Sequence, residues 1–144
     1  GSTVAINCKD AGADWMTVIC CATIPTMKAA QKEIGTLQVE LYGDWTFEQA
    51  EQWREAGIDQ VIYHQSRDAL FAGATWTESD LNKIKRLIEM GFKVSATGGL
   101  TKDTLKVFEG IDIYTFIAGR GIYATENPAQ SAREFKEEIR RIWG

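Results

Sequence analysis

Two glycine-rich turns near the C-terminal end of the chain have the composition of a phosphate-binding site. Thr97-Gly98-Gly99 and Gly119-Arg120-Gly121 each follow a short apolar segment and precede a helical pattern. Glycine lets an anion approach the backbone closely, and the N–H groups at a helix start point toward it. Parallel βα barrels commonly hold phosphate between their last two such turns. The sequence therefore predicts a phosphate cradle, unless the arginine is simply a solvated surface charge; its members are Thr97, Gly98, Gly99, Gly119 and Arg120.

Three further ionisable side chains are candidates for proton transfer. His64, the single histidine, ends the apolar segment 61–64, and Arg67 follows three residues later. Imidazole titrates near neutral pH, so a histidine at the carboxyl end of a strand suits general acid or base catalysis. Glu40 lies inside the apolar segment 37–41, where a carboxylate is seldom buried without a partner. The alternatives are a hydrogen-bonded core histidine for His64 and a structural ion pair for Glu40.

The connection from Gln65 to Trp76 is the longest in the chain, and it contains Gly73. A connection of this length at the carboxyl end of a strand is either an active-site lid or a surface loop with a short helix. The residue types alone leave both interpretations open.

These candidates are positioned by alternating strand and helix patterns. Five short segments rich in β-branched and aromatic residues are predicted strands: 15–20, 37–42, 60–64, 93–97 and 114–118. Six helical patterns accompany them. The first runs from about residue 3 to 11, and the later ones begin at the N-cap candidates Thr26, Thr46, Thr77, Thr101 and Asn127. Thr46-Phe47-Glu48-Gln49 is a predicted capping box, and the alternation predicts an α/β fold with a parallel sheet.

Length and composition indicate a single domain over residues 1–144. The chain is 44% hydrophobic and 25% charged, as globular proteins are, and its net charge of −4 argues against a nucleic-acid surface. No run approaches the roughly 20 apolar residues of a membrane span. The three cysteines, two of them adjacent, favour reduced thiols and a cytoplasmic location. No zinc-like spacing occurs, and one histidine excludes a histidine-rich metal site.

Five strands fit two architectures. One is an open, doubly wound sheet, for which 144 residues is an ordinary size. The other is part of a (β/α)8 barrel, which usually takes about 250 residues. Length favours the open sheet, whereas a chain that enters a helix directly after its first residues, without a preceding strand, favours a piece of a barrel.

The sequence resembles the 3-keto-L-gulonate 6-phosphate decarboxylases, a family of the orotidine monophosphate decarboxylase superfamily. The resemblance covers about residues 3–144. The segments that carry it are Ala13-Asp14-Trp15-Met16-Thr17-Val18-Ile19-Cys20-Cys21-Ala22, Glu40-Leu41-Tyr42-Gly43-Asp44-Trp45-Thr46, Tyr63-His64-Gln65-Ser66-Arg67-Asp68-Ala69, Thr97-Gly98-Gly99-Leu100 and Phe116-Ile117-Ala118-Gly119-Arg120-Gly121-Ile122.

This resemblance implies a dimeric barrel enzyme with a Mg²⁺-dependent reaction. A β-keto sugar-acid phosphate loses carbon dioxide, and the resulting cis-enediolate is protonated to a pentulose phosphate. The resemblance also implies that Glu40 positions the substrate and a proton-carrying water, and that His64 and Arg67 serve the protonation step. The placement of His64 and Arg67 together after one strand is more similar to the decarboxylase than to the related hexulose-phosphate synthase, which is an aldolase. The phosphate-binding site would be lined by Thr97, Gly99, Gly119 and Arg120.

The sequence departs from the family in one large respect, because it contains no Asp-x-Lys-x-x-Asp motif. The five strands would then be barrel strands four to eight. The first three strands, the catalytic lysine and the acidic magnesium ligands would lie outside this chain. We therefore expect the chain to be inactive alone and to associate as a homodimer or with a complementing N-terminal barrel half.

Two non-catalytic alternatives also follow from the sequence. The first is a barrel fragment that self-associates through its open sheet edges and at most binds phosphate. The second is an open-sheet module for a nucleotide or a sugar phosphate. No Gly-x-Gly-x-x-Gly follows a predicted strand, which argues against a dinucleotide site.

Overall fold

The computed structural model describes residues 1–65, 71–73 and 75–144. Its strands are β1 (Trp15–Ile19), β2 (Thr36–Leu41), β3 (Gln60–His64), β4 (Lys93–Thr97) and β5 (Thr115–Ile117). Its helices are α1 (Ser2–Asp10), α2 (Ile24–Ile34), α3 (Phe47–Glu55), α4 (Glu78–Glu89), α5 (Arg120–Tyr123) and α6 (Pro128–Trp143), with a 3₁₀ helix over Lys102–Phe108. Every predicted strand is confirmed to within one residue at each end. Across the described ranges, no helix has the length and apolar character needed to cross a bilayer.

The five strands are parallel and follow one another in space as they do in sequence. The order is β1-β2-β3-β4-β5, and each strand is hydrogen-bonded to the next. A doubly wound sheet reverses its strand order at a switch point, whereas a barrel wall does not. The strand order therefore excludes the open, doubly wound alternative.

The core lies between the outer face of this sheet and the helices. Val39, Val61 and Val94 are aligned across β2, β3 and β4, and all three are fully buried. Trp53 of α3 and Ile84 of α4 belong to the same buried cluster. Because successive residues of a strand point to opposite faces, the residues directly before and after each of these valines along its strand face inward.

The inner face of the sheet is polar and strongly curved. Gln38 and Gln60 are aligned across β2 and β3, and both are buried. The rings of Trp15, in the first strand, and Tyr114, just before the last strand, stack with centroids 6.2 Å apart. Two residues at opposite edges of a flat five-stranded sheet could not touch, since neighbouring strands lie about 4.8 Å apart. The sheet therefore curls into an open cylinder.

Helix starts follow the predicted caps with one exception. The side chains of Thr46, Thr77 and Asn127 accept hydrogen bonds from the backbone of their helices, and Thr46 forms the predicted capping box with Gln49. The prediction of Thr26 as an N-cap is wrong, because α2 is capped by Thr23. A proline lacks a backbone N–H and fits the first turn, so the helix begins earlier than predicted.

The segment after Thr101 forms a 3₁₀ helix and not the α-helix that its pattern predicts. The Thr104 hydroxyl donates to the Thr101 carbonyl over 2.9 Å and accepts from the Thr101 N–H over 2.9 Å. The Thr104 N–H also donates to the same carbonyl. These local bonds favour the tighter three-residue repeat over the α-helical one.

Tyr63, on the outer face of β3, ties this strand to the start of α4. Its hydroxyl donates to Asp80 Oδ1 over 2.7 Å, while Asp80 Oδ2 accepts from the backbone and hydroxyl of Thr77. Burial, together with the hydrogen bond to the Asp80 carboxylate and its charge, raises the pKa of Tyr63 far above its usual range. The phenol therefore remains a hydrogen-bond donor at neutral pH.

We expect Tyr63→Phe to lower the free energy of unfolding at neutral pH by about 2 kcal/mol, because a hydrogen bond to a charged acceptor is lost. The folded pKa is raised, so this contribution is fully present below about pH 10 and declines as the pH rises further. Urea unfolding of both proteins between pH 7 and pH 11 measures the difference. A difference that grew with pH would contradict this account.

Candidate functional site

The carboxyl ends of β3, β4 and β5 form one edge of a cavity of about 570 Å³. His64, Thr97 and Ile117 are aligned across the three strands, so their side chains face the same side. The wall is completed by both glycine turns together with Phe71, Leu100 and Tyr123. The lining residues are His64, Phe71, Thr97, Gly98, Gly99, Leu100, Ile117, Gly119, Arg120, Gly121 and Tyr123. The structure thus brings together the two predicted phosphate turns and the predicted proton-transfer histidine.

The first turn requires glycine for both conformation and space. Gly98 has φ +117°, and a Cβ built on it would lie 2.8 Å from the Cβ of Gln65. Gly99 also has a positive φ. Thr97 anchors the turn on its other side, because its hydroxyl donates to the Ile117 carbonyl over 2.9 Å. The turn is therefore held between the ends of the two flanking strands.

The second turn is packed directly on the first. A Cβ on Gly121 would collide with the backbone carbonyl of Leu100, the residue that follows the first turn. The helix that begins at Arg120 has four residues, and the helix after the first turn is a seven-residue 3₁₀ helix. Helices this short contain few aligned peptide dipoles, so their N-termini do not attract an anion strongly. The expected contribution of helix N-termini is thus smaller than the sequence indicated.

Arg120 lines the cavity and is exposed to solvent. Within the described residues its guanidinium forms no ion pair and no hydrogen bond. A guanidinium offers five N–H donors in a planar fork that suits phosphate oxygens. Arg120 belongs to the second glycine turn and lies next to the first. Among the described residues that line this cavity, it is the one arginine or lysine.

His64 is half-buried, and its ring has a defined orientation. The Nδ1 atom is hydrogen-bonded to the backbone carbonyl of Gln65, and the edge of the Tyr42 ring packs at 5.7 Å between centroids. A carbonyl can only accept, so Nδ1 carries the proton in this arrangement. The neutral ring then has its lone pair on Nε2, which is the atom available to take or give a proton.

Glu40 lies one layer deeper than His64 on the inner face. It is half-buried and aligned with Ile62, two residues before His64 on the neighbouring strand. It does not line the cavity. Among the residues that the structure describes, Glu40 forms no ion pair, so the alternative of a structural pairing with a neighbouring strand is not found there.

Arg67 lies outside the described residues, as does half of the Gln65–Trp76 connection, residues 66–70 and 74, on which the lid and surface-loop interpretations depend. The described part of that connection contributes Phe71, which is 81% exposed and lines the cavity.

Four residues of the site were not predicted as such from the sequence. Tyr42 contacts His64, Gln65 packs under the first turn, and Phe71 and Tyr123 form an exposed aromatic rim. No sequence pattern distinguished Gln65 from a solvent-exposed residue of the connection, because its burial depends on the approach of Gly98. The rim aromatics carried no pattern that distinguished them from other surface aromatics.

The described residues do not fit a magnesium ion. They contain no group of three or more histidine, cysteine, aspartate or glutamate side chains close enough to hold a metal. Mg²⁺ prefers about six oxygen ligands in octahedral geometry. The described part of this chain therefore supplies no metal centre for the cavity.

Comparison with known proteins finds relatives of this chain that are sugar-phosphate enzymes. Residues 1–135 match the model of the Orotidine 5'-phosphate decarboxylase / HUMPS family. The chain is 54% identical over 148 aligned positions to the 3-keto-L-gulonate-6-phosphate decarboxylase UlaD of Salmonella paratyphi B, and the match covers all of this chain and 68% of that protein.

Solved structures agree with this relationship. The crystal structure of KGPDC from Streptococcus mutans in complex with D-ribose-5-phosphate has a TM-score of 0.97 and 67% identity, covering 99% of this chain and 69% of that one. The 3-keto-L-gulonate-6-phosphate decarboxylase from Vibrio cholerae has a TM-score of 0.89 and 41% identity, covering 100% and 69%. A 3-hexulose-6-phosphate synthase from Salmonella typhimurium, at 24% identity and TM-score 0.85 over 98% and 68%, shares the fold.

Proposed function

The chain belongs to the Orotidine 5'-phosphate decarboxylase / HUMPS family, and from that membership we propose that it carries the phosphate-binding and proton-delivery part of a 3-keto-L-gulonate 6-phosphate decarboxylase. The observation that carries the proposal is the cavity shared by His64 and the two glycine turns. Identity of 41% to 67% with decarboxylases, against 24% with a hexulose-phosphate synthase, favours the lyase over the aldolase.

The phosphate group of the substrate would bind between the two turns. Backbone N–H groups of Gly98, Gly99 and Gly119 would donate to its oxygens, and the guanidinium of Arg120 would supply the positive charge. Thr97 would hold the first turn through its bond to the Ile117 carbonyl. Fixing the phosphate in this way would place the sugar-acid chain of the substrate along the inner face, toward His64.

The proton-transfer step would use the polar side chains of the inner face. When the bond to the carboxylate carbon breaks, carbon dioxide leaves and its electron pair enters an enediolate, which then takes a proton on carbon. Nε2 of His64 would first take a proton from water and then pass it to the carbon, because Nδ1 is engaged by the Gln65 carbonyl. Glu40, one layer deeper, would position the substrate and a proton-carrying water. The resemblance assigns Arg67 to the same step.

We further propose that the five strands correspond to strands four to eight of the barrel. Their order without reversal and the 68% share of the relative's length support this assignment. The family's Asp-x-Lys-x-x-Asp motif, absent from this sequence, would then come from the first three strands. The magnesium ion that the resemblance implies would bind there too, since the described residues do not fit it.

The exposed edge strand supports a partner. Among the described strands β1 pairs with β2 alone, so its other edge is unpaired, and an open strand edge invites pairing with another chain. We propose that this edge is covered either by a complementing N-terminal barrel half or by a second copy in a homodimer. The free cysteines of the described residues accord with a cytoplasmic location, which we propose as well.

The proposed function is tested by complementation. We expect the purified chain to release no carbon dioxide from 3-keto-L-gulonate 6-phosphate with Mg²⁺ when it is assayed alone. Mixing with a separately produced piece of the Streptococcus mutans relative that carries its first three strands should restore turnover. The N-terminal piece alone is the control, and it should be inactive because it lacks the phosphate turns.

Failure of the mixture to turn over would overturn the catalytic proposal if light scattering showed that the two pieces had assembled. The chain would then be the non-catalytic fragment that the sequence also allows. Turnover by the chain alone would contradict the assignment of the remaining catalytic groups to the first three strands.

A further inference from the structure

Gln65 follows the last residue of β3 and is 4% exposed, yet the proposed reaction does not use its side chain. We propose that Gln65 is a positioning residue, which fixes the phosphate turn at Thr97-Gly98 relative to the imidazole of His64. The inference rests on the proposed function of that turn. In this arrangement Gln65 couples the position of the anion-binding turn to the position of the proton-transfer histidine.

Gln65 contacts the turn in two ways. Its backbone N–H donates to the Thr97 carbonyl over 3.0 Å, which extends the β3–β4 ladder one residue beyond His64. Its Cβ occupies the space in which a side chain on Gly98 would lie, at 2.8 Å from the ideal Cβ position. Gly98 therefore rests directly on Gln65, and any movement of Gln65 moves the turn.

Gln65 also contacts the histidine. Its carbonyl accepts the hydrogen bond from Nδ1 of His64 and so sets both the ring orientation and the tautomer. One residue thus holds the imidazole through its carbonyl and the phosphate turn through its N–H and Cβ. The spacing between Nε2 and the turn depends on where Gln65 sits.

The buried side chain keeps Gln65 in place by its volume. Its Oε1 has no hydrogen-bond partner among the described residues, so packing is the contribution that the structure displays. Truncation of this side chain would leave space beneath the turn, and the backbone at residue 65 could then shift into it. An unbranched side chain of similar length would fill the same space.

The test measures both contacts separately. In Gln65→Ala we expect the Kd for inorganic phosphate, measured by calorimetry, to rise about tenfold, as for the loss of one well-placed hydrogen bond. The single histidine of the chain makes its ¹⁵N spectrum unambiguous. The wild type should show the Nδ1–H tautomer, and Gln65→Ala should shift His64 toward the Nε2–H tautomer that is ordinarily preferred in water. Gln65→Met should retain wild-type values of both.

Gln60 offers a matched control at the opposite end of β3. It is also a buried glutamine, 6% exposed, and its Oε1 also lacks a partner among the described residues. Gln60→Ala should lower the Tm about as much as Gln65→Ala but leave phosphate binding and the tautomer unchanged.

The proposal is overturned if Gln65→Ala keeps the wild-type tautomer and the wild-type Kd, or if Gln60→Ala changes both equally. A wild-type protein that bound no phosphate would contradict the proposed phosphate site. The tautomer comparison would still decide the position of Gln65 in that case.

Discussion

Replacement of Gly98 with alanine should abolish phosphate binding by this protein. The residue has φ +117°, a region that side chains other than hydrogen rarely adopt, at a cost of about 1–3 kcal/mol. The new Cβ would also lie 2.8 Å from the Cβ and 3.1 Å from the backbone nitrogen of Gln65. Backbone cannot yield as a flexible side chain can, so the turn must move and its N–H groups lose their alignment.

The measurement is the Tm in millimolar inorganic phosphate. A ligand at one hundred times its Kd adds about 2.7 kcal/mol to the stability of the wild type, and the variant should gain nothing. Gly110→Ala is the control, because Gly110 has φ +78° and no atom within 4 Å of its ideal Cβ. It should lose stability from backbone strain alone and still respond to phosphate. An equal response of Gly98→Ala and wild type would show that the turn does not hold the anion.

Arg120→Ala should weaken phosphate binding by about 10- to 100-fold. The guanidinium lines the cavity, and within the described residues no carboxylate engages it, so its charge is available to an anion. A hydrogen bond to a charged group contributes about 1.5–3 kcal/mol, and each 1.4 kcal/mol is a tenfold change in Kd. Because Arg120 is exposed and has no hydrogen-bond partner there, the stability of the unliganded protein should hardly change.

Arg120→Lys separates charge from geometry. A lysine keeps the positive charge but offers a single point of attachment, so the loss in affinity should be intermediate. Calorimetric titration with inorganic phosphate at low and at high salt gives the comparison, and added salt should weaken the wild type more than Arg120→Ala. Arg120→Ala with a wild-type Kd would assign Arg120 to the solvated surface.

Patterns with a local physical cause could be predicted from the sequence. The strands were visible because buried parallel strands are short and rich in β-branched residues, and the structure moves none of their ends by more than one residue. The cap at Thr46 was visible because Gln49 stands three residues later. The cavity at the carboxyl ends of β3, β4 and β5 followed from the topology, since parallel strands bring those ends to one edge.

Features that depend on contacts distant in sequence were not predictable in this way. The 3₁₀ helix at Lys102–Phe108 is a different case: its bonds are local, between Thr101 and Thr104, but a helical pattern does not reveal which way a threonine hydroxyl bonds. The role of Gln65 depends on the approach of Gly98, more than thirty residues later. Strand order was equally invisible, because open and barrel-like sheets use the same βα alternation. The resemblance, and not the periodicity, distinguished them.

The stack of Trp15 on Tyr114 has a consequence for how the chain folds. Every strand pairs with the strand before it in sequence, so each βα unit can form as soon as its predecessor is in place. The Trp15–Tyr114 contact joins the first strand to the approach of the last, and it can form only after all the intervening units have been added. Closing a loop over such a separation costs chain entropy before the contact itself adds any stability, so this contact forms late. The indole of Trp15 accordingly reports the final step of assembly. The wild type should show a fluorescence phase after the far-ultraviolet circular dichroism has reached its native value, and Trp15→Phe, which keeps the other four tryptophans, should lack that phase.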